Sequence, residues 1–232
     1  MPKLFPAIVM GLVLAASHGA LGEDKVTCTS NAMIVFDASG SMSASDFPSG
    51  ESNRIDRVRQ AFKNVLPRVA SARDLGLVVY GPGSHRDDCE NVDLRFRPLP
   101  NAATKIQTAI DRLTPYGRTP LTKSVALAAD ALGAADKAAT IILLTDGEET
   151  CGGDPCQLAT QLRATWPDTV VHVIGYKLQS LDGRPLVSGA KCLADATGGH
   201  NLTAETVEDL VRALEKTLGC DALSLNGSRI NR

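Results

Sequence analysis

The chain has 232 residues, 44% of them apolar, and a formal net charge of −2. That length and apolar share fit one domain of ordinary globular composition with a sizeable core. Lys and Arg form no stripe with interleaved aromatics, which argues against a nucleic-acid partner.

At the N-terminus, Lys3 precedes an uncharged apolar stretch over residues 7–16. Ala20-Leu21-Gly22 then sets small residues at the −3 and −1 positions of a cleavage site between Gly22 and Glu23. The stretch is shorter than the roughly 20 residues a spanning helix needs, so a cleaved signal peptide over 1–22 is expected rather than a retained anchor. No second long apolar run follows, so the mature chain is expected to carry no membrane span. Export to a periplasm or to the exterior is the expected fate. Cleavage removes one Lys and no acid, leaving 23 basic and 26 acidic residues, a net −3.

Next, Met33-Ile34-Val35-Phe36 is a continuous apolar run that stops at Asp37. Residues 75–80, 141–144 and 170–174 form three more such runs. Runs without alternation suit parallel strands covered on both faces. Between them lie amphipathic helical patterns. One is carried by Ile55, Val58, Phe62, Val65, Leu66 and Val69, and a second by Ile106, Ile110 and Leu113. A third, through Leu121, Val125, Ala128 and Leu132, starts beside Pro120, a residue the first helical turn tolerates. Further helices are expected over 156–166 and 186–197, and a closing one over 207–218 with Gly219 at its end. Val92 to Phe96 alternates apolar and charged residues after a polar turn, which predicts an antiparallel edge strand. Residues 200–203 suggest a short last strand. The expected architecture is a doubly wound α/β domain: a mostly parallel sheet with one antiparallel edge strand and helices on both faces. Residues 221–232 read as a loose polar tail.

Three separated segments carry chemistry. Asp37-Ala38-Ser39-Gly40-Ser41 follows the first run, Thr119 precedes a helix start, and Asp146 follows the third run. In a doubly wound sheet, ligands sit beyond the carboxyl ends of the strands at the topological switch point. If the first and third runs are neighbours, Asp37 and Asp146 meet there. Ser39 and Ser41 then face one ion, with Gly40 permitting the tight bend. Two carboxylates and three hydroxyls are hard oxygen donors, suited to Mg²⁺ or Mn²⁺. The bland alternative is a helix N-cap at Asp37. Glu148 and Glu149 are taken as a solvated loop.

Asp-x-Ser-x-Ser at 37–41, Thr119 and Asp146 resemble the metal-ion-dependent adhesion site of the von Willebrand factor type A family. Gly117-Arg118-Thr119-Pro120-Leu121, Leu144-Thr145-Asp146-Gly147 and Ala196-Thr197-Gly198-Gly199 extend the resemblance over about residues 28–220. A VWA domain over 23–220 is the resulting expectation. The loop from Glu148 to Cys156 looks like exported bacterial members. The resemblance implies that Ser39, Ser41 and Thr119 touch the ion while Asp37 and Asp146 act largely through water. It also implies that the coordination is completed by an Asp or Glu of a protein partner. The function expected is binding, not catalysis.

Three other readings stand beside it: a secreted hydrolase, a regulatory module of a metal-handling enzyme complex, and a domain that the metal merely stabilises. Gly-x-Ser-x-Gly is absent around Ser39 and Ser41, and none of His18, His85, His172 and His200 has a recognisable base context. Six cysteines in an exported chain imply disulfides, although Cys151 and Cys156 loosely fit zinc spacing. Topology suggests Cys28–Cys220 tying the termini. Cys89 and Cys192 lie towards opposite sheet edges, which disfavours joining them and leaves Cys151 and Cys156 each paired outward. Both outward arrangements stay open, with Cys89–Cys151 and Cys156–Cys192 taken as the expectation. A Cys151–Cys156 bond would overturn that argument.

Overall fold

The computed structural model describes residues 31–46, 52–83, 88–133, 138–177 and 188–219. The expected signal peptide over 1–22, the tail over 221–232 and the Cys28–Cys220 pair lie outside the described residues.

Six strands form one sheet: β1 (Asn31–Asp37), β2 (Leu75–Tyr80), β3 (Val92–Leu99), β4 (Ala139–Thr145), β5 (Thr169–Tyr176) and β6 (Asn201–Ala204), in the order β3-β2-β1-β4-β5-β6. All neighbours are parallel except β2 and β3. The four apolar runs become β1, β2, β4 and β5, and the alternating segment becomes the antiparallel edge. That edge is longer than the expected Val92–Phe96 segment, running on through Arg97 and Pro98 to Leu99. The pairing shifts register between Leu75 and Leu77. Gly76 makes room there, since a Cβ on it would come within 2.9 Å of the Pro98 nitrogen.

The six α-helices among the described residues are α1 (Arg54–Val69), α2 (Ala103–Asp111), α3 (Leu121–Leu132), α4 (Pro155–Thr165), α5 (Ser188–Thr197) and α6 (Val207–Leu218). Strand alternation sorts the core into two layers. Ile34, Phe36, Leu77, Val79, Ile142 and Leu144 face one layer with α1, α2 and α6. Met33, Val35, Val78, Tyr80, Ile141 and Leu143 face the other with α3, α4 and α5. Burial on both faces explains why these strands show no polar alternation. Helix α2 ends before Leu113, which the 3.6-residue pattern had included; Leu113 still buries its side chain after the helix.

The chain leaves β1 for β2 and β3 on one side, then crosses to β4 on the other. The crevice at the carboxyl ends of β1 and β4 is therefore the topological switch point, where such sheets bind ligands.

Candidate metal centre

Asp37 ends β1 and Asp146 follows β4, and the two strands are hydrogen-bonded neighbours. Asp37, Ser39, Thr119 and Asp146 are all buried. Donors crowd one oxygen of the Asp37 carboxylate and leave the other with a single partner. Its Oδ1 accepts the Ser39 N–H at 2.7 Å. Its Oδ2 accepts the Tyr80 hydroxyl at 2.8 Å, the Thr145 hydroxyl at 2.9 Å and the Asp146 N–H at 3.3 Å. Tyr80 reaches it because β1 and β2 register Asp37 opposite Tyr80.

A hydroxyl relay links the first loop to the second acid. Ser41 donates to Asp146 Oδ1 at 2.5 Å. That uses the one hydroxyl proton of Ser41, so across the 3.0 Å Ser39–Ser41 contact Ser39 must be the donor. Asp146 Oδ2 accepts from Arg54 Nη1 at 3.0 Å.

Thr119 arrives on a third loop that is stitched to the first two by backbone. Gly40 N–H donates to the Gly117 carbonyl at 2.9 Å, Gly117 N–H to the Gly81 carbonyl at 2.7 Å, and Tyr116 N–H to the Ala38 carbonyl at 3.3 Å. Thr119 itself is strapped to Thr150, donating its N–H to the Thr150 hydroxyl at 2.8 Å and accepting the Thr150 N–H at 3.1 Å. Among the described residues its hydroxyl makes no hydrogen bond to the other four. Thr119 is therefore brought alongside by its backbone, whereas Asp37, Ser39, Ser41 and Asp146 are joined by a continuous hydrogen-bond network. Gly81 has φ of +89°, and a Cβ on it would meet Ser39 N at 2.4 Å. A glycine is required where β2 ends against the Ser39 backbone.

The electrostatics favour a cation. Burial raises the Asp37 carboxyl above the ordinary range, opposed by its hydrogen bonds to Ser39, Tyr80 and Thr145. Asp146 is raised to about 7 by burial first and then by the charge of Asp37. Tyr80 is raised well above its ordinary value by burial and by Asp37. Two adjacent buried acids offset by one guanidinium are short of positive charge. With only oxygen donors around them, the residues fit a hard divalent cation.

Sequence reasoning missed Tyr80, Thr145 and Arg54. Tyr80 and Thr145 carry a signal in hindsight: each is the last residue of its strand, at the level of Asp37. Glu149, taken above as a solvated residue, has a structural task. Its carboxylate accepts the N–H of Thr122 in the first turn of α3 and that of Cys151. Disulfides join Cys89 to Cys151, with Cα atoms 5.6 Å apart, and Cys156 to Cys192, 5.0 Å apart.

Comparison with known proteins bears on this arrangement. The profile of the von Willebrand factor type A domain matches residues 32–149, half of the chain. The chain belongs to the von Willebrand factor type A (VWA) family. YwmD of Bacillus subtilis (strain 168), described as uncharacterized, is 28% identical over 224 residues, spanning 93% of this chain and 97% of its own. Proximal thread matrix protein 1 of the mussel byssus, solved with a zinc-occupied MIDAS motif, superposes with a TM-score of 0.57 at 21% identity, over 83% of this chain and 46% of that one. The pilus adhesin SpaC of Lactobacillus rhamnosus GG gives 0.59 at 15% identity, over 82% and 30%. The chain thus spans less than half of these solved proteins, and at such identities the likeness speaks for the fold. Family membership suggests adhesion-type protein binding and a divalent-metal site as the class of function. No helix among the described residues is long and apolar enough to cross a membrane.

Proposed function

We propose that this VWA domain is an exported, non-enzymatic binding module. Asp37, Ser39, Ser41, Thr119 and Asp146 form a complete metal-ion-dependent adhesion site holding Mg²⁺ or Mn²⁺, and a protein partner engages it through an Asp or Glu. The observation that carries this reading is the relay Ser39–Ser41–Asp146 beside buried Asp37 at the switch point. When bound, the ion supplies an electrophilic position for a carboxylate oxygen.

The protein's own residues do the rest. Tyr80, Thr145 and the Asp146 N–H fix Asp37 in orientation and charge. The Gly40–Gly117 bond and the Thr150 strap hold the loop that carries Thr119 against the loop that carries the serines. Tyr116, on the same loop, is a large hydrophobic side chain with 39% of its surface exposed, which suits an aromatic anchor for a partner at the rim.

Binding rather than hydrolysis is favoured because the serine protons are directed along the relay and not to a histidine. His172 and His200 stack on one another at 5.2 Å, and His172 lies three residues back along β5 from the level of Thr145. The two disulfides favour an oxidising compartment, hence export to a periplasm or beyond.

The test is retention of partner protein on the immobilised, oxidised domain. Retention is expected in Mg²⁺, with release by EDTA and loss in Asp146→Ala. Tyr116→Ala is expected to weaken retention while leaving Mg²⁺ affinity unchanged. Retention that survives both EDTA and Asp146→Ala would overturn the reading.

A further inference from the structure

Arg54 occupies a position that local rules disfavour. It is the first residue of α1, after the N-cap Asn53, where the positive end of the helix dipole repels a cation. Two carboxylates hold it there. Asp46 takes the guanidinium in a fork, Nε to Oδ2 at 2.9 Å and Nη2 to Oδ1 at 2.6 Å. The remaining Nη1 reaches Asp146 Oδ2 at 3.0 Å, on the acid whose other oxygen ends the serine relay. The Arg54 N–H also donates to the Ala44 carbonyl at 3.0 Å, so the segment carrying Asp46 is tied to the start of the helix. The Arg54 side chain is 17% exposed and that of Asp146 is fully buried.

From this geometry we infer that Arg54 is a built-in cation that competes with the divalent ion for Asp146, with Asp46 as its second seat. The inference rests on the metal-site reading above and adds how the site sets its affinity. With Arg54 on Asp146, one carboxylate oxygen is engaged by a resident positive charge. Asp46 binds the same guanidinium by two other nitrogens, so Arg54 can give up Asp146 without losing its partner. A divalent ion then meets a site already partly neutralised. It binds only when its concentration is high enough to displace the Nη1 contact. Lysine suits this less well, because its single nitrogen cannot keep a bidentate hold on one acid while a separate nitrogen meets the other.

The experiment is calorimetric titration of the oxidised protein with MgCl₂, for wild type, Arg54→Gln, Asp46→Asn and the double variant. Arg54→Gln is expected to bind Mg²⁺ about ten-fold more tightly or better, since a full charge within hydrogen-bond distance is removed. Asp46→Asn is expected to weaken binding several-fold, because Arg54 then leans on Asp146 alone. In the double variant the Asp46→Asn effect should vanish, leaving the affinity of Arg54→Gln. If Asp46 acted by its charge alone, the same weakening would appear in both backgrounds, and that result overturns the inference.

Thermal unfolding gives an independent readout. In EDTA, Arg54→Gln should melt lower than wild type by on the order of 5 °C or more, since Asp146 loses its partner. Saturating Mg²⁺ should raise its melting temperature by more than it raises wild type's. A wild type that takes up Mg²⁺ with the same affinity as Arg54→Gln contradicts the inference and leaves the site standing. No uptake by either contradicts both.

Discussion

Tyr80 shows how a single side chain sets the state of the site. Its hydroxyl is one of three donors on Asp37 Oδ2, in a wholly buried position. Tyr80→Phe keeps the ring in the α3–α5 layer and removes only that donor. A loss of about 1.5–3 kcal/mol in urea unfolding is expected, the usual range for a hydrogen bond to a charged group. His172 supplies a pH signature away from the site. Burial first, then His200, Arg73 and Lys216, lower its pKa to about 4 from the ordinary 6.5. Between those values the unfolded chain binds a proton that the folded chain refuses. Stability is therefore full above about pH 6.5, falls as pH drops towards 4, and changes no further below that on this account. The partial exposure of His172 limits the effect to about 1–3 kcal/mol. His172→Asn keeps an acceptor for the His200 N–H, 2.9 Å away in the native protein. Unfolding free energies measured across pH 4–7 should have a flatter slope in that variant; an unchanged slope would assign the acid sensitivity elsewhere.

At the scale of elements, the site exists because several loop ends are pinned to each other. Gly81 is the tightest of these junctions, with positive φ and the Ser39 backbone against it. Gly81→Ala is expected to destabilise by about 1–3 kcal/mol and to weaken Mg²⁺ binding by moving Ser39, both measurable on one sample. Helix α6 begins with a reciprocal capping box between Thr206 and Asp209. Thr206→Ala should lower stability by about 1 kcal/mol and leave metal affinity untouched, which separates scaffold from site. The sequence showed the elements well because their signals are local. Apolar runs bounded by Asp37 and Tyr80 read as strands, and 3.6-residue stripes read as helices. The adjacency of β1 and β4 could only be conditional, since it arises from a crossover spanning β2 and β3. Arg54 was illegible for a different reason: one Arg at the head of an amphipathic helix reads as a solvated charge until the fold sets Asp46 and Asp146 around it. Thr119 was legible as a hydroxyl near a helix start, but the backbone strap to Thr150 that positions it is a long-range contact.

For the whole molecule, the disulfides connect the scaffold to the site. Cys89–Cys151 bridges a separation of 62 residues, and Thr150, the neighbour of Cys151, straps Thr119. Replacing that pair by serine is expected to lower stability by about 3–5 kcal/mol in the chain-entropy treatment. It should also loosen the loop that presents Thr119, so Mg²⁺ affinity falls with it. The Cys156–Cys192 bridge links α4 to α5 on one face of the sheet, and its loss should lower stability with a smaller effect on the ion. These effects presuppose that the two buried acids and the serine relay hold a divalent cation at the switch point. Calorimetric titration of the oxidised wild-type domain with MgCl₂ and MnCl₂ tests that most directly. One ion per chain, abolished in Asp146→Ala, is the predicted result. A flat titration with both metals, from protein whose fold and disulfides are intact, would contradict it.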